Sequence, residues 1–407
     1  MKLLFLNRCY WPDVEATGQL LTELCSDLAP SHNVTVIPGR PNFVAAGGEG
    51  WFQRERHEGV EIIRVGNRRF TKKSFLGRAV GLLSYLLLAA WAALRFPRPD
   101  VIVVETDPPL LGALGAFLKA WHRCALVFYL QDLFPEVGLA TGNLKPGLLT
   151  ALLHRATQLG LRRADRVVVL GEDMRRRVLA RGIDGGKVVV IPNWIDTRLV
   201  RPAADNLRRA WELNGEFAVM YSGNLGLSQG LEHVLEAARR MRGEPVVFLF
   251  VGEGAAKGRL MAQASEWKLP NVRFLPYQPR ERLSASLATA DLHLVPLQRG
   301  LSGCIVPSKL YGILAAARPY VAAVEEDSEV ARVTRANGTG LLIEPDDPER
   351  LVAALRWATA NHGELAEMGR RGRRLAEAEY DRRRAVASFE AVLRQAATAR
   401  AGRRSEP

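Results

Sequence analysis

Short apolar runs alternate with helix-length segments along almost the whole chain, and that rhythm limits the folds open to it. In the first half the runs are "LLFLN" (3–7), "NVTVIPG" (33–39), "VEIIRV" (Val60–Val65) and "DVIVVET" (100–106). "ALVFYL" (125–130), "DRVVVLG" (165–171) and "KVVVIPN" (187–193) follow. Runs that are apolar on both faces, separated by helices, predict parallel sheets covered on both sides. A polar, Pro-containing stretch, "IDTRLVRPAADNLRRAWELNGE" (195–216), then interrupts the pattern. The alternation restarts with "FAVMYSGNLG", "PVVFLFVGEG", "VRFLPY", "LHLVPL", "PYVAAV" and "TGLLIEP". The expected fold is α/β, with two doubly wound, Rossmann-like parallel-sheet domains. Their bounds are 1–198 and 199–385, and a C-terminal helix and tail (386–407) pack back toward the first. Ligands of open parallel sheets lie at the carboxyl ends of the strands, so two such domains are expected to face a cleft that holds the site.

A chain of 407 residues is long for one core and fits two domains. Cys9, Cys25, Cys124 and Cys304 are scattered with no C-x-x-C pair, so neither zinc nor a disulfide framework is expected, and a reducing, cytosolic compartment is. The start, "MKLLFLNRCYWP", has too short an apolar run for a signal peptide and reads as a buried strand. The net charge of +13 is spread over both halves, with no zinc-finger spacing, RNA-recognition signature or basic arm. Nucleic acid is therefore not expected as a partner; anionic small molecules or a membrane surface account for the charge as well.

One stretch is lopsided. No acid occurs between Glu61 and Asp100, while Arg64, Arg68, Arg69, Lys72, Lys73 and Arg78 crowd its first half. "AVGLLSYLLLAAWAAL" (79–94) follows, short of the ~20 residues that span a bilayer. It reads as a buried helix, or as one that dips an edge into anionic lipid, making 64–98 the expected peripheral membrane contact.

Several strand-end turns are candidates for chemistry. "YSGNLGLSQGLEHVL" places Gly223, Gly226 and Gly230 between a strand and a helix, with Asn224 and Gln229 as uncharged donors to phosphate oxygens. "FVGEGAAKGRL" is a second such turn, with Lys257 as a water-facing alternative cation. Tyr277 follows another strand and reads as a core-edge residue or a nucleobase contact. "YLQDLFPEVG" sets Asp132 and Glu136 at a strand end, where a carboxylate can take a proton from an attacking hydroxyl or simply fix a loop. "GLSGCIVPSKLYGILAAARP" (300–319) runs into a helix start with Ser308 and Lys309 and no acid. No Ser/His/Asp triad or metal-ligand spacing is found.

In order and spacing, "RCYWPDVEATGQLLTELCSDLA", "DPPLLGALGAFLKAW", "YLQDLFPE", "ADRVVVLGEDM", "VIPNWID", "YSGNLGLSQGLEHVLEAA", "VGEG" and "VPSKLYGILAAARPYVAA" resemble the family 4 type of GT-B glycosyltransferase. The likeness points to the exopolysaccharide, O-antigen and colanic-acid-type branch. It implies an acceptor-binding first domain, a second domain that binds a nucleotide sugar, and metal-independent transfer with retention, without a cofactor. The implied donor is a UDP-sugar, with N-acetylated amino sugars among the candidates. The implied acceptor is a lipid-linked saccharide, at the inner face of the plasma membrane. By the resemblance Gly18 lies beside the donor diphosphate, Asp132 takes a catalytic or acceptor-orienting role, and Glu136 is an acceptor-side candidate. Gly223, Asn224, Gln229, Ser308 and Lys309 belong to the donor site, with Asn224 and Gln229 where many relatives carry Arg and Lys. The family's E-x7-E pair is absent: Cys304 and Gly312 stand at its two positions. A nucleotide-sugar epimerase of the same fold, or a non-catalytic membrane-surface binder, are the alternatives.

Overall fold

The computed structural model describes residues 1–13, 15–41, 50–66 and 75–402; Arg68, Arg69, Lys72 and Lys73 fall outside them. The chain forms two compact units, Met1–Pro192 with Ala385–Pro407, and Asn193–Arg384.

The first unit contains β1 (Lys2–Leu6), α1 (Ala16–Leu28), β2 (Asn33–Ile37), β3 (Phe52–His57), β4 (Val60–Val65) and α2 (Phe75–Leu94). Then come β5 (Val101–Val104), α3 (Leu111–His122), β6 (Ala125–Tyr129), α4 (Glu136–Ala140), α5 (Leu148–Arg163), β7 (Arg166–Val169), α6 (Glu172–Ala180) and β8 (Val188–Val190). The sheet order is β3-β4-β2-β1-β5-β6-β7-β8. All pairs are parallel except β3 with β4, a hairpin turned by Glu58 and Gly59, both at positive φ. β3, "FQRERH", has no apolar run to announce it; an edge strand with one solvated face tolerates charge.

Helices α2, α3 and α5 form a stitched layer. His122 donates from Nε2 to the Ala93 carbonyl at 2.9 Å, and Lys119 Nζ to the Arg163 carbonyl at 2.8 Å. At the α3–α5 crossing a Cβ on Gly160 would lie 2.7 Å from the Gly112 Cα, so only glycine permits this approach.

In the second unit, β9 (Phe217–Ser222), α7 (Leu231–Arg240), β10 (Val246–Val251), α8 (Lys257–Glu266), β11 (Val272–Leu275), α9 (Leu283–Ala288) and β12 (Leu292–Pro296) come first. α10 (Lys309–Ala315), β13 (Tyr320–Ala323), α11 (Glu329–Asn337), β14 (Leu341–Ile343), α12 (Pro348–Ala360) and α13 (His362–Glu379) follow. Its six strands are all parallel, in the order β11-β10-β9-β12-β13-β14. α14 (Arg382–Gly402) starts in this unit, and from Ala385 onward it belongs to the first. There the Phe389 ring meets Tyr129 with centroids 4.8 Å apart, and Glu390 Oε1 pairs with His32 Nε2 at 3.2 Å.

Candidate active site

In the first unit the polar groups gather at the carboxyl ends of β1, β5 and β6. Arg8, just past β1, grips Asp107, just past β5, through two contacts: Nε to Oδ1 at 3.2 Å and Nη2 to Oδ2 at 2.8 Å. A forked guanidinium on a carboxylate is a directional pair, and it fixes Asp107 at the sheet edge. Cys9 donates its thiol to Glu15 Oε2 at 2.8 Å, and burial pushes that thiol up, so it stays neutral. Gly18 lies in the first turn of α1, not in the loop. A Cβ there would meet the Tyr10 amide nitrogen at 3.4 Å, so its lack of a side chain lets the helix pack on the 9–13 segment.

Asp132 follows β6, and its amide donates to Thr106 Oγ1 at 3.2 Å. Its residue surface is partly open. The protein crowded around the carboxyl, and then the Asp107 charge, push its pKa up to about 7. Such a group changes charge near neutrality, as a general base should. Behind it Glu105 is buried beside Gln131, and burial, then the Asp107 charge, raises it well above the ordinary carboxylate value although the Gln131 amide pulls the other way. Glu136 takes a different place: Arg181 donates to its Oε1, and His154 Nδ1 stands 3.9 Å away. It ties α4 to the segment after α6.

The second unit builds its site with glycines and one cation. The turns after β9 and β10 stack backbone on backbone. A Cβ on Gly252 would lie 2.1 Å from the Gly223 carbonyl oxygen, and one on Gly254 would lie 2.4 Å from the Leu225 oxygen. Both glycines also hold positive φ, at 144° and 158°. Lys309 opens α10 and reaches back to this turn: its Cε is 3.3 Å from where a Gly223 Cβ would sit, and its Nζ is 4.7 Å from the Tyr221 ring centroid. Tyr221 is held in place by donating its hydroxyl to the Asn224 carbonyl at 2.6 Å.

Among the described residues Lys309 forms no ion pair and no hydrogen bond, and burial lowers its pKa to about 8. A cation short of water and of a counter-ion favours an incoming anion. Lys257, by contrast, is spent on Glu253 at 2.6 Å.

Asn224 and Gln229 converge on Gly226, whose Cβ would lie 3.0 Å from Asn224 Nδ2 and 2.9 Å from Gln229 Oε1. The Gln229 amide already donates to Ser228 Oγ at 2.7 Å, while its Oε1 is buried without a partner. It therefore offers an open acceptor, Oε1, besides the second hydrogen of its amide. Ser308 is the N-cap of α10, but its hydroxyl makes no capping bond. Gly312 lies inside α10, with Leu287 Cδ1 3.7 Å from the position of a Cβ.

Sequence reasoning missed several residues. Arg8 and Asp107 form a pair made only in the fold, although "DPP" directly after a strand carries the same signal as Asp132. Glu325 accepts from the amides of Gly300 at 3.0 Å and Ser302 at 3.2 Å, bringing to the acid-free 300–319 segment a carboxylate from beyond β13. Tyr277 is half exposed, with its ring edge 3.4 Å from the place of a Gly252 Cβ. Among the described residues no three His, Cys, Asp or Glu side chains gather as ligands for a metal ion.

Comparison with known proteins matches both units to glycosyltransferase families. The model of the glycosyl transferase 4-like domain covers residues 17–194, and that of glycosyl transferases group 1 covers 204–375. WcaI of Escherichia coli, named as a colanic acid biosynthesis glycosyl transferase, is 31% identical over 376 residues, 88% of this chain and 92% of its own. WbjE of Pseudomonas aeruginosa, named as a glycosyltransferase, is 30% identical over 288 residues, 70% of this chain and 72% of its own. The crystal structure of Anabaena HepE in complex with UDP and glucose superposes with a TM-score of 0.73 at 16% identity, covering 97% of this chain and 99% of that one, a likeness of fold. The chain belongs to the GT-B glycosyltransferases, a glycosyl transferase 4-like domain followed by a group 1 domain, and it is an enzyme of sugar transfer.

Proposed function

We propose that this enzyme moves a sugar from a UDP-sugar to a hydroxyl of a lipid-linked saccharide in bacterial surface polysaccharide synthesis. The observation that carries the reading is Lys309, an unpaired, partly buried cation set beside the glycine turns after β9 and β10. UDP is favoured because the structural relative HepE binds it, and a polysaccharide role because WcaI is named for colanic acid synthesis.

In this reading the second unit holds the donor. Lys309 neutralises the charge that grows on the diphosphate as the bond from the anomeric carbon to the phosphate oxygen breaks. The Ser308 hydroxyl donates beside it, Asn224 and the Gly223 backbone line the approach, and Gln229 Oε1 accepts from a donor hydroxyl. The first unit receives the acceptor: its hydroxyl oxygen bonds to the anomeric carbon, and its proton passes to Asp132. Retention and transfer without a metal ion belong to the same proposal. So does a peripheral position at the inner face of the plasma membrane, reached through the 64–98 region.

The test compares the wild-type protein with Lys309→Ala. UDP should raise the melting temperature of the wild type and leave that of the variant unmoved. The variant's kcat/KM should fall about 10²–10³-fold, the loss typical of removing one preorganised charge-stabilising donor. A folded variant that keeps wild-type transfer defeats the assignment. An isomerised sugar formed without acceptor would instead support an epimerase.

A further inference from the structure

We infer that Asp346 is a positioning residue for the donor: its carboxylate braces the turn after β9 against the segment that leads to Lys309, and so sets their spacing. This rests on the donor reading of the second unit given above and assigns a further residue to it.

The two loops follow neighbouring strands, β9 and β12. The first, 223–230, carries Asn224 and Gln229 into α7. The second, 297–308, leads from β12 to Ser308 and to Lys309 at the start of α10. They meet at two places. At one, Lys309 Cε lies 3.3 Å from where a Gly223 Cβ would sit. At the other, the Gln298 amide donates to the Ser228 carbonyl at 2.8 Å. Asp346 stands at this second meeting point, in the connection between β14 and α12, and its two oxygens are divided between the loops. Oδ2 accepts from the Arg299 amide at 3.3 Å, and Oδ1 lies 3.4 Å from His233 Nε2 in the first turn of α7. Oδ1 is also 2.9 Å from the place of a Gly230 Cβ, so a side chain at 230 would push the carboxylate aside.

The backbone shows that this contact comes at a cost. Asp346 has a φ of +60°, a left-handed conformation that glycine adopts freely and other residues adopt against strain. Arg123, Lys268 and Ala317 share it just past α3, α8 and α10, where a left-handed residue closes off a helix. Asp346 closes none: β14 ends at Ile343 and α12 opens at Pro348. Nor does it cap α12, since Asp347 does so by accepting from the Arg350 amide at 2.9 Å. A glycine would make this turn without strain; what the aspartate adds is contact with both loops. Glu325 already holds the Gly300 and Ser302 amides from the side of β13, and Asp346 ties the same stretch back to the β9 side. A diphosphate drawn to Lys309 must also fit the 223–229 turn, so its affinity depends on the spacing that this tie sets.

Calorimetry with UDP and with UMP on the full chain tests the inference. Asp346→Gly removes the carboxylate and relieves the backbone, so its melting temperature should match or exceed that of the wild type. Its affinity for UDP should nonetheless fall about tenfold, while its affinity for UMP, which lacks the second phosphate, stays unchanged. Asp346→Asn keeps an oxygen for the Arg299 amide and should recover most of the loss. His233→Ala removes one of the two arms and should show a smaller loss in the same direction. If Asp346→Gly binds UDP as the wild type does, the brace is idle and the inference is overturned. If it melts lower, or loses UDP and UMP alike, Asp346 serves the fold of the unit at large and the inference is again overturned. A wild type that does not bind UDP defeats the donor reading and the inference together, whereas wild-type binding matched by every variant defeats the inference alone.

Discussion

The same topological position, the carboxyl edge of a parallel sheet, carries opposite chemistry in the two units. In the first it collects acids: Asp107 under Arg8, Asp132 with its pKa near 7, and buried Glu105. In the second the acids are already engaged, Glu253 by Lys257 and Glu325 by the amides of Gly300 and Ser302, which leaves bare backbone and an unpaired cation, Lys309, whose pKa is lowered to about 8. Burial acts on both key groups and in both cases disfavours the charged form. A carboxyl so treated is ready to hold a proton near neutrality, whereas an ammonium so treated is ready for an anion. In the proposed mechanism, one fold used twice separates proton transfer from leaving-group stabilisation. The separation follows from which charge each sheet edge isolates.

The contrast can be broken most sharply at Asp132. Asp132→Asn should lower kcat/KM about 10²–10⁴-fold, the range for a lost general base, with UDP protection intact. The wild-type pH profile should be bell-shaped. It should rise through about 7 as Asp132 loses its proton and fall above about 8 as Lys309 loses its charge. The Asn variant's residual activity should lack the acid limb, and a profile that keeps it would remove Asp132 from the role. Gly252→Ala should act next most strongly, because its Cβ would strike the Gly223 carbonyl at a backbone angle that disfavours side chains. The expected cost is about 2–3 kcal/mol, with UDP binding impaired, as calorimetry can measure. The smallest effect belongs to Gly312→Ala. Its Cβ would meet only ordinary contact in the helix, so the variant should gain about 0.5–1 kcal/mol and transfer sugar as before. A large loss of activity there would show that the missing family acid leaves a space the donor uses.

How far the sequence could be read depended on whether a feature was local. Buried strands are continuous apolar runs, so β1, β5, β6, β9 and β10 were visible with their turns. Strand β3 was not, because an edge strand of Gln, Arg and Glu has no apolar signature. Helix α2 begins at Phe75, earlier than the apolar run at 79. Lys309 was legible as a lone cation at a helix start. Its place beside Tyr221 was not, since it depends on two strands far apart in sequence. Likewise Asp132 could be named from its strand, but not the Asp107 charge that helps lift its pKa. Gln229 could be placed at its turn, but not the neighbouring Ser228 that takes one of its two amide hydrogens.

The helix α14 bears on how the molecule is made. Its residues Phe389, Leu393 and Ala396 are buried in the first unit, yet the ribosome adds them only after all of the second. The first unit therefore emerges early and waits, its docking groove for that helix open, while its neighbour is synthesised. A released chain truncated after Arg384 should hold a finished second unit and an unclosed first one, prone to chaperone capture through the apolar surface around Tyr129.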